Sequence, residues 1–144
     1  MATVAQIMNK HPQSIGPTTS IRGAAKKMRE LRVGSLLIKR GKNHVGIVTE
    51  TDLVRKALAG SQDVSKLTVE KVMTSPVCTI ESSRAVDEAQ DMMGDLGVRH
   101  LGVTKGGSIV CVVSVRDLLM FYKRYAQSKL ADRQAYSEPK IAQD

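Results

Sequence analysis

Apolar residues recur at helical spacing at Ile21, Ala24, Ala25, Met28 and Leu31, and again at Val86, Ala89, Met93 and Leu96. After each of these stretches the period shortens. Two runs rich in β-branched and aliphatic residues follow around a glycine turn: "SLLIK", "RGKN", "HVGIV" in the first place and "HLGVT", "KGGS", "IVCVV" in the second. Such runs about a Gly-containing loop predict hairpins. The second strand of each hairpin passes into a hydroxyl-x-x-Asp and then a short amphipathic helix. That helix carries Leu53, Val54, Ala57 and Leu58 in the first case and Leu118, Leu119 and Tyr122 in the second. Short strands holding Ile15 and Ile80 precede the two long helices.

The two halves are copies. A shift of 65 positions places Ile15 on Ile80, Met28 on Met93, Leu36 on Leu101, Val48 on Val113 and Asp52 on Asp117. Upstream, "VAQIMNKHP" and "VEKVMTSPV" also correspond once a residue is inserted near the prolines. The unit of about 60 residues reads strand, helix, strand, strand, helix. Alone it would leave one sheet face poorly covered, so two units should pack as a pseudo-twofold pair. The predicted fold is therefore α/β, of the α+β kind, with repeats at 1–64 and 65–125 and a polar tail at 126–144. "LAGSQDVSKLT" joins the repeats. The tail could prolong the last helix for a few turns before Pro139, but its apolar residues are sparse and we expect it to fray.

Composition narrows the function. The 144 residues are 42% hydrophobic, with one Phe, three Tyr and no Trp, so the core must be aliphatic. Base stacking on exposed aromatics is correspondingly disfavoured. The net charge of +8 is concentrated at the front: residues 1–64 hold eleven Lys or Arg against four acids, and residues 65–144 hold eleven against ten. A basic half suits a phosphate-bearing partner, polymer or mononucleotide, and equally a solvated face. Cys78 and Cys111 lie in apolar runs and read as buried small hydrophobes. No apolar run approaches the roughly 20 residues needed to span a bilayer, and the start lacks the pattern of a secretory signal. We expect a cytoplasmic protein with no membrane partner. His11, His44 and His100 show no metal-ligand spacing, and no glycine-rich phosphate loop or paired nucleophile and base points to an enzyme.

The repeated motif has two readings. Thr49 and Ser114 could each be the N-cap of the following helix, with Asp52 and Asp117 at the third helical position, close to a capping box. At a strand-to-helix junction, however, free helix amides favour an anion. An aspartate there can also accept two hydrogen bonds from a ribose diol.

In this order the parts resemble a tandem pair of CBS (cystathionine β-synthase) domains, a Bateman module, over about residues 4–124. "GIVTETD" matches the family's Gly-h-h-Ser/Thr-x-x-Asp (h, hydrophobic) fully, and "CVVSVRD" keeps all but the glycine. The "M-x-x-x-P" and "M-x-x-P" openings and the "RVGSLLI" and "GVRHLGV" passages add to the likeness. The resemblance implies a stand-alone regulatory module without catalysis that binds adenine nucleotides, AMP, ADP or ATP, in clefts between the units. NAD or S-adenosylmethionine would offer a similar adenosine. It implies that Asp52 and Asp117 each hold a ribose with Thr49, Thr51 and Ser114 nearby, and that Ile15 and Ile80 sit against adenine. Arg99 and His100 would reach phosphates across the Asp52 cleft, while Arg116 serves the Asp117 cleft, where Cys111 in place of glycine would narrow the backbone approach. This favours the Asp52 half for the nucleotide. A homodimer through the helices and a separate target protein are also implied; a nucleic-acid-associated protein is the competing reading, resting on charge alone.

Overall fold

The computed structural model describes residues 1–137. Pro139 and the rest of the expected tail beyond Ser137 lie outside the described residues. The elements run α1 (Val4–Ile7), β1 (Ser14–Ile15), α2 (Ile21–Leu31), β2 (Ser35–Arg40), β3 (Asn43–Thr49) and α3 (Glu50–Asp52), which continues as a π-helical turn, Leu53–Leu58. Two 3-10 turns, Val64–Lys66 and Val69–Lys71, lead to β4 (Thr79–Glu81), α4 (Val86–Leu96), β5 (His100–Lys105), β6 (Ser108–Ser114) and α5 (Val115–Ser137). The mixed α/β architecture and the repeat order are as the sequence predicts.

Each long helix buries the face its spacing announces: Ile21, Ala24 and Met28 in α2, and Val86, Ala89 and Met93 in α4. Ser20 caps α2, its hydroxyl accepting from the Gly23 N–H at 2.9 Å. Both helices stop on a left-handed residue, Arg32 (φ 55°) in the first repeat and Gly97 (φ 66°) in the second. Leu31 and Leu96, predicted to share the buried faces, are exposed instead, each the last residue of its helix.

Two three-stranded sheets form, ordered β1-β2-β3 and β4-β5-β6, with the first pair parallel and the second antiparallel in each. The hairpins are true copies down to their defects. A register shift follows Ile38 in one and Val103 in the other, at positions 65 apart. Leu36, Ile38, Leu101, Val103 and Val113 are wholly or almost wholly buried and anchor the two cores.

The repeats do not complete their own cores. Val4, fully buried, packs with Ile80, Val86, Leu101 and Val113 of the second core, while Leu67, Val69 and Val72 pack with Ile21, Leu36 and Val48 of the first. Backbone bonds fasten the exchange: Val4 N donates to Arg84 O at 2.8 Å, Ala5 N to Ser82 O at 2.9 Å, and Val69 N to Thr19 O at 2.9 Å. Cutting the sequence at residue 64 therefore leaves each half without part of its own core.

The last helix is longer than the expected fraying tail. α5 is helical through Ser137, 23 residues in all. Its inner end is held by Leu118 in the core and by Tyr122, whose hydroxyl lies 2.7 Å from Asp87 Oδ1 and 2.6 Å from Gln90 Oε1 on α4. Burial and that carboxylate push the Tyr122 phenol up to about 12.

Candidate functional site

Both hydroxyl-x-x-Asp motifs form the cap that their spacing allows. Thr49 N and Thr49 Oγ1 donate to Asp52 Oδ2 at 3.0 and 3.1 Å, and Asp52 N donates back to Thr49 Oγ1 at 3.2 Å. In the second repeat Ser114 N and Oγ donate to Asp117 Oδ2 at 2.8 and 2.9 Å, and Asp117 N returns to Ser114 Oγ at 3.2 Å. The reciprocal geometry is a capping box with aspartate in place of glutamate. It uses one carboxylate oxygen of each aspartate.

The capped turns open onto a cleft of about 1150 Å³ between the repeats. Thr49, Thr51, Asp52, Arg99, His100, Ser114, Arg116 and Asp117 all line it. Ile15 and Ile80 do not. Ile15 pairs with Ile38 and Ile80 with Val103, whose side chains fill the cores, and the same pleat turns both isoleucines inward. The apolar wall of the cleft is made instead by residues such as Val33, Leu37, Ile47, Val98 and Val112.

The cysteines divide. Cys111 is buried in the second core and does not line the cleft, so it does not narrow a ligand's approach. Its repeat mate Gly46 also faces away: a Cβ there would come 2.5 Å from Met73 Sδ and 3.0 Å from Thr74 O. Cys78, expected to be buried, is partly exposed at the cleft wall.

The repeats meet across Gly34. A Cβ on this residue would stand 3.1 Å from Glu50 Oε1 and 3.3 Å from the His100 ring. His100 thus lines the cleft beside Gly34, within the electrostatic reach of Glu50 and its own repeat's Asp117. Burial lowers its imidazole from the ordinary value of 6.5 and Arg99 adds to that, against the opposing influence of Glu50 and Asp117. A neutral ring at neutral pH makes His100 a hydrogen-bonding group there rather than a fixed cation.

That shift has a measurable consequence. The unfolded chain takes up the His100 proton at about 6.5 while the folded chain resists it, so stability falls as pH drops through that value and levels off once the folded ring also protonates. His100→Gln should lose less stability than the wild type between about pH 7 and 5 in thermal melts. Equal losses would show that the imidazole is not the source.

Two further arginines line the cleft, Arg32 and Arg55, which the motif comparison passes over. Arg55 lies three residues past Asp52, on the same helical face, a spacing from which it could have been found. Arg32 holds a left-handed backbone where the other repeat has glycine, a conformation that costs a side-chain-bearing residue about 1–2 kcal/mol. Among the described residues, Arg32, Arg55, Arg99 and Arg116 make no ion pair. Four guanidiniums therefore line the same cleft as Glu50 and Asp117, while Asp52 is already paired with Lys56 at 2.9 Å. No cluster of three or more metal-ligating side chains occurs among the described residues. No helix among them is long and apolar enough to cross a membrane.

Comparison with known proteins converges on one family. The family model for the CBS domain matches residues 4–59 and again 69–124. A 17.7 kDa protein of Acidianus ambivalens is 39% identical over 121 residues, which cover 82% of this chain and 72% of the relative. Among solved structures, a CBS-domain protein of Burkholderia ambifaria superposes with a TM-score of 0.78 at 30% identity, covering 98% of this chain and all of its own. A CBS domain pair in complex with 5′-methylthioadenosine and S-adenosyl-L-methionine gives a TM-score of 0.78 at 27% identity, with 87% of this chain and 98% of that one covered. The repeat, the paired sheets and the capped aspartates at the shared cleft are those of a ligand-binding regulatory module, and the chain belongs to the CBS domain family, of which it carries two copies.

Proposed function

We propose that the cleft binds an adenosine-containing nucleotide, AMP, ADP or ATP, and that its occupancy is read by a separate protein without catalysis by this chain. The observation that carries this reading is the combination, in one cleft, of a capped aspartate able to hold a sugar diol with four guanidiniums that make no ion pair among the described residues and are able to hold phosphate. The related domain pair carrying 5′-methylthioadenosine and S-adenosyl-L-methionine supports an adenosyl group. The guanidiniums favour phosphate over the sulfonium of S-adenosylmethionine, whose positive charge they would repel. The cations on α2, including Arg22, Lys26 and Arg29, are solvated, and no aromatic platform accompanies them, which argues against a nucleic-acid partner.

The same reading includes a homodimer through the helices and action in the cytoplasm. Repeat-related apolar residues, Leu31 with Leu96 and Val54 with Leu119, are 40%, 52%, 56% and 64% exposed, a face suited to a second copy. Thermal shift and calorimetry with AMP, ADP, ATP, NAD, S-adenosylmethionine and short oligonucleotides, at low and moderate salt, test the ligand. Adenine nucleotides should raise the melting temperature at both salts. Binding by oligonucleotides alone, falling steeply with salt, would replace this reading with the nucleic-acid one. Sedimentation of the same samples should give a dimer, and a monomer throughout would remove that part.

A further inference from the structure

The two aspartates share their inner partners and differ in their outer ones. In each, Oδ2 is committed to the cap. The other oxygen, Oδ1, is the one left to meet a ligand. Asp52 Oδ1 is held by Lys56 Nζ at 2.9 Å, one helical turn on, and the same ammonium donates to Val72 O at 3.2 Å. Lys56 is thus anchored from two sides, and Asp52 is only 6% exposed. The residue 65 positions further is Phe121, which packs against the second core and offers no donor. Asp117 Oδ1 has no partner among the described residues, and Asp117 is half-buried.

We propose that Lys56 closes the Asp52 half of the cleft to a sugar diol, so that the chain takes one nucleotide with its ribose on Asp117. This rests on the adenosine reading above and specifies which half serves it. With two donors on Oδ2 and Lys56 on Oδ1, Asp52 keeps a single lone-pair site, so a diol donating twice would have to displace the ammonium from a nearly buried carboxylate, exchanging an ion pair for a weaker donor. At Asp117 nothing need be displaced. The sequence favours the Asp52 half for its glycine and for Arg99 and His100 opposite. Yet Gly46 faces Met73 and Thr74, and Arg99 and His100 line the cleft that both aspartates share. The phosphates would lie toward Arg99 and Arg116, on the side where the α5 N-terminus adds its positive end.

Calorimetric titration of the full chain with AMP and, in parallel, ATP reads both stoichiometry and position. One equivalent per chain is expected for the wild type. Asp117→Asn should weaken binding about ten- to a hundredfold, the loss of a hydrogen bond to a charged group, and Asp52→Asn should change it less than about threefold. Lys56→Met leaves both caps intact and should add a second equivalent, which keeps the proposal testable if an asparagine variant fails to fold. Two equivalents in the wild type, a loss on Asp52→Asn instead of Asp117→Asn, or no second equivalent in Lys56→Met would each overturn it while leaving the adenosine reading in place. Absence of binding by either nucleotide, and by NAD and S-adenosylmethionine, would overturn both.

Discussion

Val4→Asp is expected to unfold the second sheet first, and Val69→Asp the first sheet, each variant damaging the repeat to which it does not belong in sequence. Both valines are fully buried, Val4 among Ile80, Leu101 and Val113 and Val69 among Ile21, Leu36 and Val48. An uncompensated carboxylate in such a place costs about 3–5 kcal/mol. That is a large fraction of the 5–15 kcal/mol or so that holds a domain of this size together. Amide hydrogen exchange resolves the effect by position. Val4→Asp should accelerate exchange in 79–114 more than in 14–49, and Val69→Asp should do the reverse. If each variant loosened its own repeat, the exchange of core segments described above would be wrong.

Gly46→Val should cost about 1–3 kcal/mol by overpacking, readable as a clear fall in melting temperature. The returning chain lies against this residue. Met73 Sδ and Thr74 O stand 2.5 and 3.0 Å from where a Cβ would be, and Ile47 and Thr74 exchange hydrogen bonds of 3.0 and 2.8 Å beside it. A methionine sulfur can move, but the Thr74 carbonyl can do so only by breaking that pair. At the repeat-related Cys111 a side chain is already packed in the core, so Cys111→Val should stay within about 1.5 kcal/mol. Equal losses at both positions would mean that Gly46 is not pressed by the chain beside it. The glycine of the repeated motif thus serves packing here.

Much of this protein is legible without coordinates, for a physical reason. Helical and strand periods depend on which residues face a core, and the 65-residue shift repeats those choices, so Met28 with Met93 and Leu36 with Leu101 announce the same unit twice. The hydroxyl-x-x-Asp caps are equally local: three residues suffice to define their geometry, and both formed. From those local signs follow the mixed α/β class and the order of elements; the eight polar residues gathered in the cleft are legible through the resemblance to the CBS family.

What periodicity leaves undetermined is which apolar segment covers which sheet, and which oxygen keeps a free lone pair. Val4 and Val69 carry the same signal wherever they pack; only the chain path, with Val4 N on Arg84 O and Val69 N on Thr19 O, assigns each to the other repeat's core. Ile15 and Ile80 look alike as core or cleft residues until the pleat turns them inward. Lys56 reads as one more cation until its ammonium is found 2.9 Å from Asp52. The sequence by itself determined a duplicated fold and where its chemistry would gather. The tertiary structure decided that the two copies complete each other's cores, because that depends on contacts between segments whose spacing along the chain carries no period, and that the Lys56 ammonium turns back onto Asp52 and Val72 O rather than into solvent, while Asp117 Oδ1 has no partner among the described residues.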